Sequence, residues 1–377
     1  MKLSCSQENL ARGLSIVGRA VSTRSTLPVL ANVLLSTDQG RLKLSTTNLE
    51  IVITCWIGAK VEEEGAITVP ARTLSDLVGA LPPERVEMEL NRQTQTLHLA
   101  CARTQANIKG IDAQEFPLVP EKGDNHRIRM ESSLFKEMIS QVIIAAATDD
   151  ARPTLTGVMT RFEGDKLTMA ATDGFRLSVR EAKLGAPVEE PFQVVIPARA
   201  LNEAARVLSD DTEAVFVSLP EGRNQVIFDM DNVVVVSQLI DGAFPDYTPV
   251  IPKRHKTRTV MSVADFYKAC RTADIFAREA SHTARILIEP GNELTPGYAT
   301  IRATSSETGD NVAQVDAMVE GDEVEIAFNV KYMTDLLGVV NTPQVALETN
   351  SSTEPGVLKP VGQDGFIHII MPMHFGR

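Results

Sequence analysis

Apolar residues recur in the same order three times along this 377-residue chain. The segments ITVPARTLSDLVGAL (67–81), VVIPARALNEAARVL (194–208) and IAFNVKYMTDLLGVV (326–340) align without gaps. Each opens on a β-type apolar pair, turns at Pro70, Pro197 or Asn329, and then spaces apolar residues at i, i+3, i+4 and i+7. They are Leu74, Leu77, Val78 and Leu81, then Leu201, Ala204, Ala205 and Leu208, then Met333, Leu336, Leu337 and Val340. The spacing predicts a strand running into a short helix, with proline near the helix start where its missing N–H costs nothing.

Other features recur in step. LSTTNLEIVI (44–53), MAATDGFRLSV (169–179) and IRATSSETGDNVAQV (301–315) each pass from a strand through a polar turn into alternating apolar residues, as a hairpin does. An amphipathic helix precedes each, marked first by Leu10, Leu14, Val17 and Val21 and then expected over 134–146 and 263–278. Thr47, Thr172 and Thr304 are 125 and 132 residues apart. Charge and loss of periodicity place linkers near EKGDNHR (121–127) and PKRHKTR (252–258). Three domains follow, 1–122, 127–252 and 253–377, each helix, strands, helix, strands. The connections are too short for parallel crossovers, so the sheets are expected to be antiparallel and the fold class α+β.

Composition removes several classes. With 43% hydrophobic and 23% charged residues the chain is neither disordered nor fibrous. No apolar run reaches the roughly 18 residues of a transmembrane helix, and the N-terminus MKLSCSQENLARGLS is not a secretory signal, so a cytoplasmic protein is expected. Cys5, Cys55, Cys101 and Cys270 are scattered and read as small buried apolar residues. A phosphate loop, a dinucleotide fingerprint and an H-E-x-x-H helix are all missing, and GLSIVG (13–18) is one residue too long for a nucleophile elbow. The six histidines, His98, His126, His255, His282, His368 and His374, form no ligand pattern. The acidic pairs Asp149–Asp150 and Asp210–Asp211 read as solvated loops. A non-catalytic binding protein without cofactor or metal ion is the expectation.

Net charge is −12, which taken alone argues against a nucleic-acid partner. Its distribution alters that reading. The helical segments 8–24, 70–81, 134–146, 197–208, 263–278 and 329–340 together carry +4, leaving −16 on the remainder. Arg72, Arg199 and Lys331 occupy one repeat position in the first helical turn, where a cation opposes the helix dipole. A phosphate attracted both by the helix N–H groups and by the side chain would favour them there. Arg12 and Arg19, seven apart, are expected on one face of the first helix.

RSTLPVLANVLL (24–35), TVPAR (68–72), ATDGFRL (171–177), DGAFPDYTPVIPK (241–253), FNVKYMTDLL (328–337) and the terminal MPM (371–373) together resemble the bacterial β sliding clamp family, processivity subunits of DNA polymerase III. The resemblance spans the chain. It implies three clamp domains per chain and a homodimer closed head to tail into a ring, with helices lining the hole and sheets outside. Double-stranded DNA would pass through without sequence preference. On this resemblance Arg24, Arg72 and Arg199 are candidates for phosphate contacts, joined on the repeat and face arguments by Lys331, Arg12 and Arg19.

A peptide-binding cleft for the polymerase catalytic subunit, the clamp loader and other partners is implied at Leu155, Thr172, Gly174, Phe175, Arg176, Leu177, Pro245, Val250, Ile369, Ile370, Met371, Pro372 and Met373. Flexible methionines suit a surface that serves several partners in turn. The ring joint is implied at Ile275 and Phe276 packing near Ile108, with Arg103 facing acids such as Glu307 and Asp310. The chain departs from the family at Arg152-Pro153-Thr154, at Thr248 and Pro249, at Ala106 and at the ending His374-Phe375-Gly376-Arg377. A three-repeat interaction scaffold that never touches DNA also accounts for the repeats and the missing catalytic motifs, though not for the basic helix positions.

Overall fold

The repeated strand-to-helix pattern folds as its spacing predicts. The computed structural model describes residues 1–22, 26–120, 127–149, 151–220, 222, 224–292 and 295–373. Among these, six α-helices form: α1 (Gln7–Val17), α2 (Ala71–Ala80), α3 (Ser132–Ile143), α4 (Ala198–Val207), α5 (Val263–Ala277) and α6 (Val330–Leu337). Strands Ala66–Pro70, Phe192–Pro197 and Val324–Asn329 lead directly into α2, α4 and α6. Ser6 caps α1 by accepting from Asn9 N–H, and Ser262 caps α5 by accepting from Asp265 N–H.

Three helices stop three or more residues short of their expected ends, among them α6, expected to 340, which closes at Leu337 with Gly338 N–H donating to Thr334 O. The apolar spacing carries the first to residue 24, but α1 ends at Val17 and a 3-10 turn, Gly18–Ala20, follows. Beyond that turn the backbone is extended, and Ser22 N–H donates to Leu30 O. Likewise α3 closes at Ile143 with tight turns at Ala145 and Ala146 before Ala147 N–H donates to Leu155 O. The expected linker 121–126 and Asp150 lie outside the described residues.

Backbone contacts divide the chain into two units, Met1–Phe135 with Arg199–Leu239, and Lys136–Ala198 with Ile240–Arg377. All three cuts fall inside the second repeat, because the sheets are continuous where the repeats are not. The first unit holds a five-stranded sheet, in the order Lys60–Glu63, Lys2–Ser6, Arg85–Asn91, Thr96–Cys101, Thr104–Lys109. It also holds an eight-stranded sheet in which Ile51–Gly58 of the first repeat pairs antiparallel with Val233–Gln238 of the second, from Val233↔Cys55 to Ser237↔Ile51. Leu10, Leu14 and Val17 of α1 and Leu74 and Val78 of α2 are buried. A Cβ on Gly13 would lie 2.6 Å from Leu44 Cδ1, so glycine allows α1 its close approach to the sheet.

The second unit holds one twelve-stranded sheet. Its middle is again a pairing of two repeats, Arg176–Lys183 with Phe366–Ile370, from Arg176↔Ile370 to Arg180↔Phe366. Phe266, Cys270 and Ala273 of α5 and Met333 and Leu336 of α6 share one buried cluster with Leu347, Leu358, Phe366 and Ile370 of the sheet. All recorded strand pairs in both units are antiparallel, and with 24% helix and 45% strand the α+β class holds. All four cysteines are buried, and desolvation pushes the thiols of Cys5 and Cys55 up to about 12 and about 11.

Candidate functional site

The cleft candidates gather around one turn. Between strands Lys166–Thr172 and Arg176–Lys183, Thr172 Oγ1 donates to Arg176 O at 2.7 Å and accepts from Gly174 N–H at 3.0 Å. Asp173 Oδ1 accepts from Phe175 N–H at 2.9 Å and Arg176 N–H at 3.0 Å. The turn demands a left-handed residue, which Gly174 supplies at φ 92°. Its backbone then thrusts Phe175 outward, 59% exposed, beside Met371, whose N–H donates to Phe175 O at 2.8 Å. Beneath them Leu155, Leu177 and Ile369 are buried in a cluster with Phe244, against which Tyr247 and Ile251 pack. Pro245 and Val250, both exposed, belong to that same connection.

Strand alternation sorts the remaining cleft candidates differently. Leu177 and Ile369 point to one face of the paired strands, so Arg176 and Ile370 point to the other. Ile370 joins the cluster under α5 and α6. Arg176, with 11% of its side chain exposed, reaches Asp335 of α6 at 2.7 Å and Asp173 at 3.1 Å, and lies 4.2 Å from the Tyr332 ring. Met373 N–H donates to Ala327 O, which ties it to the strand before α6, while Pro372 is half-buried. Arg152 Nη2 donates to Asp173 O at 2.9 Å, so the departure Arg152-Pro153-Thr154 keeps a polar link to the turn. Residues 374–377, with His374 and Phe375, lie outside the described residues.

Behind the same strands stands a residue whose role the sequence did not reveal. His368 is fully buried, its Nδ1 2.7 Å from Ser178 Oγ. Burial, with Arg176 adding to it, pushes the imidazole down to about 3, so it is neutral. Phe366, His368 and Ile370 share one phase of alternation, and a histidine in an otherwise apolar phase was the available signal.

Three of the cationic candidates, Arg72, Arg199 and Lys331, lie in the first turns of α2, α4 and α6. Arg72 on α2 is 94% exposed and 3.7 Å from Asp76, and Arg199 on α4 is exposed. Lys331 on α6 is 56% exposed and 3.7 Å from Asp335. Arg12 is exposed on α1. Arg19 departs from expectation, because helix α1 has already ended: it sits in the 3-10 turn, 3.4 Å from Glu203 of α4. At α6 the Asn329 side chain accepts from Lys331 and Tyr332 N–H, leaving the lysine ammonium as the attraction for an anion. Pro70 provides no such side-chain cap at α2. Arg24 lies outside the described residues.

The six joint candidates fall on two open sheet edges and one helix. Strand Thr104–Lys109 ends the five-stranded sheet, with Arg103 exposed in the preceding turn and Ile108 buried at 6% against its own sheet. In the second unit, strand Gly309–Glu320 pairs with Thr257–Ser262 only from Ala317 onward, so, among the described residues, 309–316 leave one edge unpaired. Glu307 and Asp310 are exposed at its start. Ile275 of α5 is 57% exposed, whereas Phe276 packs into the cluster below. Val312, 55% exposed on the open edge, was not anticipated; its signal is an apolar residue in the polar phase of Asp310, Gln314 and Asp316.

Comparison with known proteins matches all three repeats. Residues 1–120, 129–246 and 248–374 match the N-terminal, central and C-terminal domains of the DNA polymerase III beta subunit. The chain is 30% identical to the beta sliding clamp of Bacillus subtilis, covering 99% of each, and 32% identical to that of Synechococcus elongatus, again covering 99% of each. The solved DNA polymerase sliding clamp of B. subtilis superposes with a TM-score of 0.93 at 29% identity, and the DNA polymerase III subunit beta of Pseudomonas aeruginosa with 0.90 at 28%, each over 100% of both chains.

Proposed function

This chain belongs to the family of bacterial DNA polymerase III beta subunits, the β sliding clamps, and on that premise we propose that two copies close head to tail into a ring around double-stranded DNA. The ring tethers the polymerase catalytic subunit, its loader and other replication and repair proteins, and catalyses nothing itself. Repeats 1–122, 127–252 and 253–377 serve as its clamp domains, and the protein works in the cytoplasm.

The observation that carries this reading is how neighbouring repeats join within the chain. Strands Ile51–Gly58 and Val233–Gln238 pair edge to edge, as do Arg176–Lys183 and Phe366–Ile370. The same kind of edge remains open at Thr104–Lys109 in the first repeat and at residues 309–316 in the third. A chain with one free head and one free tail closes by two equivalent joints. Arg103, Ile108, Ile275, Phe276, Glu307 and Asp310 belong to this joint, with Val312 added and Phe276 contributing from beneath.

Encirclement makes weak phosphate contacts sufficient, because topology prevents escape while loose contacts allow sliding. Arg24, Arg72, Arg199, Lys331 and Arg12 supply them, and Arg19 contributes what Glu203 leaves of its charge. The acidic remainder of the surface repels DNA elsewhere. Phe175, Val250 and Met371 form the rim that receives an apolar peptide, over a floor of Leu155, Leu177 and Ile369. Co-migration with nicked circular DNA, lost when the circle is linearised, tests the proposal. Equal retention on circles and linear duplex would point to an ordinary DNA binder.

A further inference from the structure

One carboxylate of α6, Asp335, stands between the cleft and Lys331 on the same helix. Asp335 Oδ2 accepts from Arg176 Nη1 at 2.7 Å, while Oδ1 lies 3.7 Å from Lys331 Nζ. Asp173 Oδ2 accepts from Arg176 Nε at 3.1 Å, and the Tyr332 ring covers the guanidinium at 4.2 Å. Asp173 also receives the Phe175 and Arg176 N–H groups, so one residue fixes both the guanidinium and the backbone that projects Phe175. Exposure runs from 11% at Arg176 through 27% at Asp335 to 56% at Lys331, from enclosed cation to solvent-facing cation. Enclosed in this way, Arg176 offers little to a peptide directly; it anchors the turn from behind.

We infer that α6 is the positioning element of the cleft: Asp335 and Tyr332 hold Arg176, and through it Phe175. Asp335 also links the cleft to Lys331. A phosphate drawn to Lys331 withdraws that ammonium from the shared carboxylate, which then holds Arg176 more firmly and strengthens peptide binding. Linkage requires the reverse as well, so bound peptide favours the phosphate contact. This inference rests on the two sites proposed above.

The test is fluorescence anisotropy on the full-length protein with a fluorescein-labelled hexapeptide ending in Leu-Phe, chosen to match the apolar rim. Asp335→Asn is expected to weaken binding about tenfold, as for the loss of a charge-assisted hydrogen bond, and Asp335→Glu to restore most of it. Lys331→Ala is expected to strengthen binding about twofold without DNA, a small change because an exposed i,i+4 pair is weak. Opposite signs at two residues of one helix are not produced by general loosening of the fold. Asp335→Asn should cause no further loss in an Arg176→Met background. If Asp335→Asn melts early, Tyr332→Leu reports the same coupling. Unchanged affinity in Asp335→Asn, or weakened affinity in Lys331→Ala, overturns the inference while leaving the cleft in place; no binding to the unmodified protein removes the cleft as well.

Discussion

Arg72 extends from the first turn of α2 with 94% of its side chain exposed and, among the described residues, pairs with an i,i+4 carboxylate 3.7 Å away. Such a pair contributes about 0.5 kcal/mol or less, so the fold does not require the arginine. Arg24→Ala with Arg72→Ala is therefore expected to shorten retention on circular DNA several-fold while leaving the elution volume in gel filtration unchanged. Leu49 presents the reverse situation. It sits in the first-repeat turn where Thr47, Asn48 and Glu50 repeat the bonding of Thr172, Asp173 and Phe175, and it adopts φ 77° where Gly174 adopts φ 92°. Its side chain is 52% exposed and contributes little packing. Leu49→Gly is expected to raise the unfolding free energy by roughly 0.5–1 kcal/mol, read from the urea midpoint.

His368 makes stability depend on pH in a defined window. Its folded pKa of about 3 lies below the ordinary 6.5, so the unfolded chain binds the extra proton. The stability is complete above pH 6.5 and is lost progressively as pH falls toward about 3, by up to about 1.4 kcal/mol per unit. Comparing urea midpoints at pH 7 and pH 5 should show a smaller acid loss in His368→Asn. An equal loss would assign the acid sensitivity to other groups.

At the scale of elements, the open edge formed by residues 309–316 brings Val312 into the proposed joint, and α5 presents Ile275. Ile275→Asp combined with Val312→Asp should convert a dimer to a monomer in sedimentation, with far-UV circular dichroism retained. Phe276 is a poorer probe, because it packs into the core beneath α5 and its loss would damage the fold. Helices α2, α4 and α6 were legible in the sequence because a 3.6-residue period survives wherever one face is buried. The stop of α1 at Val17 was not legible, since Val21 continues the apolar spacing while Ser22 N–H donates to Leu30 O, a partner beyond the helical pattern. The cleft turn was legible as a motif, but the part played by Arg176 was not. Alternation alone places Arg176 opposite Leu177, and its partners Asp335 and Tyr332 lie more than 150 residues away.

At the scale of the molecule, retention by encirclement and retention by attraction respond differently to salt. Between about 50 and 200 mM salt, contacts to several phosphates weaken by orders of magnitude. A closed ring on a nicked circle should remain through that change, whereas protein on linear duplex should slide off its ends. Gel filtration of circle-bound protein at both salt concentrations measures this directly.

The duplicated unit of sequence and the cooperative unit of structure are different objects. Strand Phe366–Ile370 lies between Arg176–Lys183 of the second repeat and Gly356–Pro360 of its own. A fragment beginning at residue 253 would expose a backbone edge flanked by Ile367, Ile369 and Ile370, and such an edge recruits other chains. Fragments cut at the repeat boundaries are thus expected to aggregate on expression, and pieces intended to stay soluble need ends placed where a sheet ends.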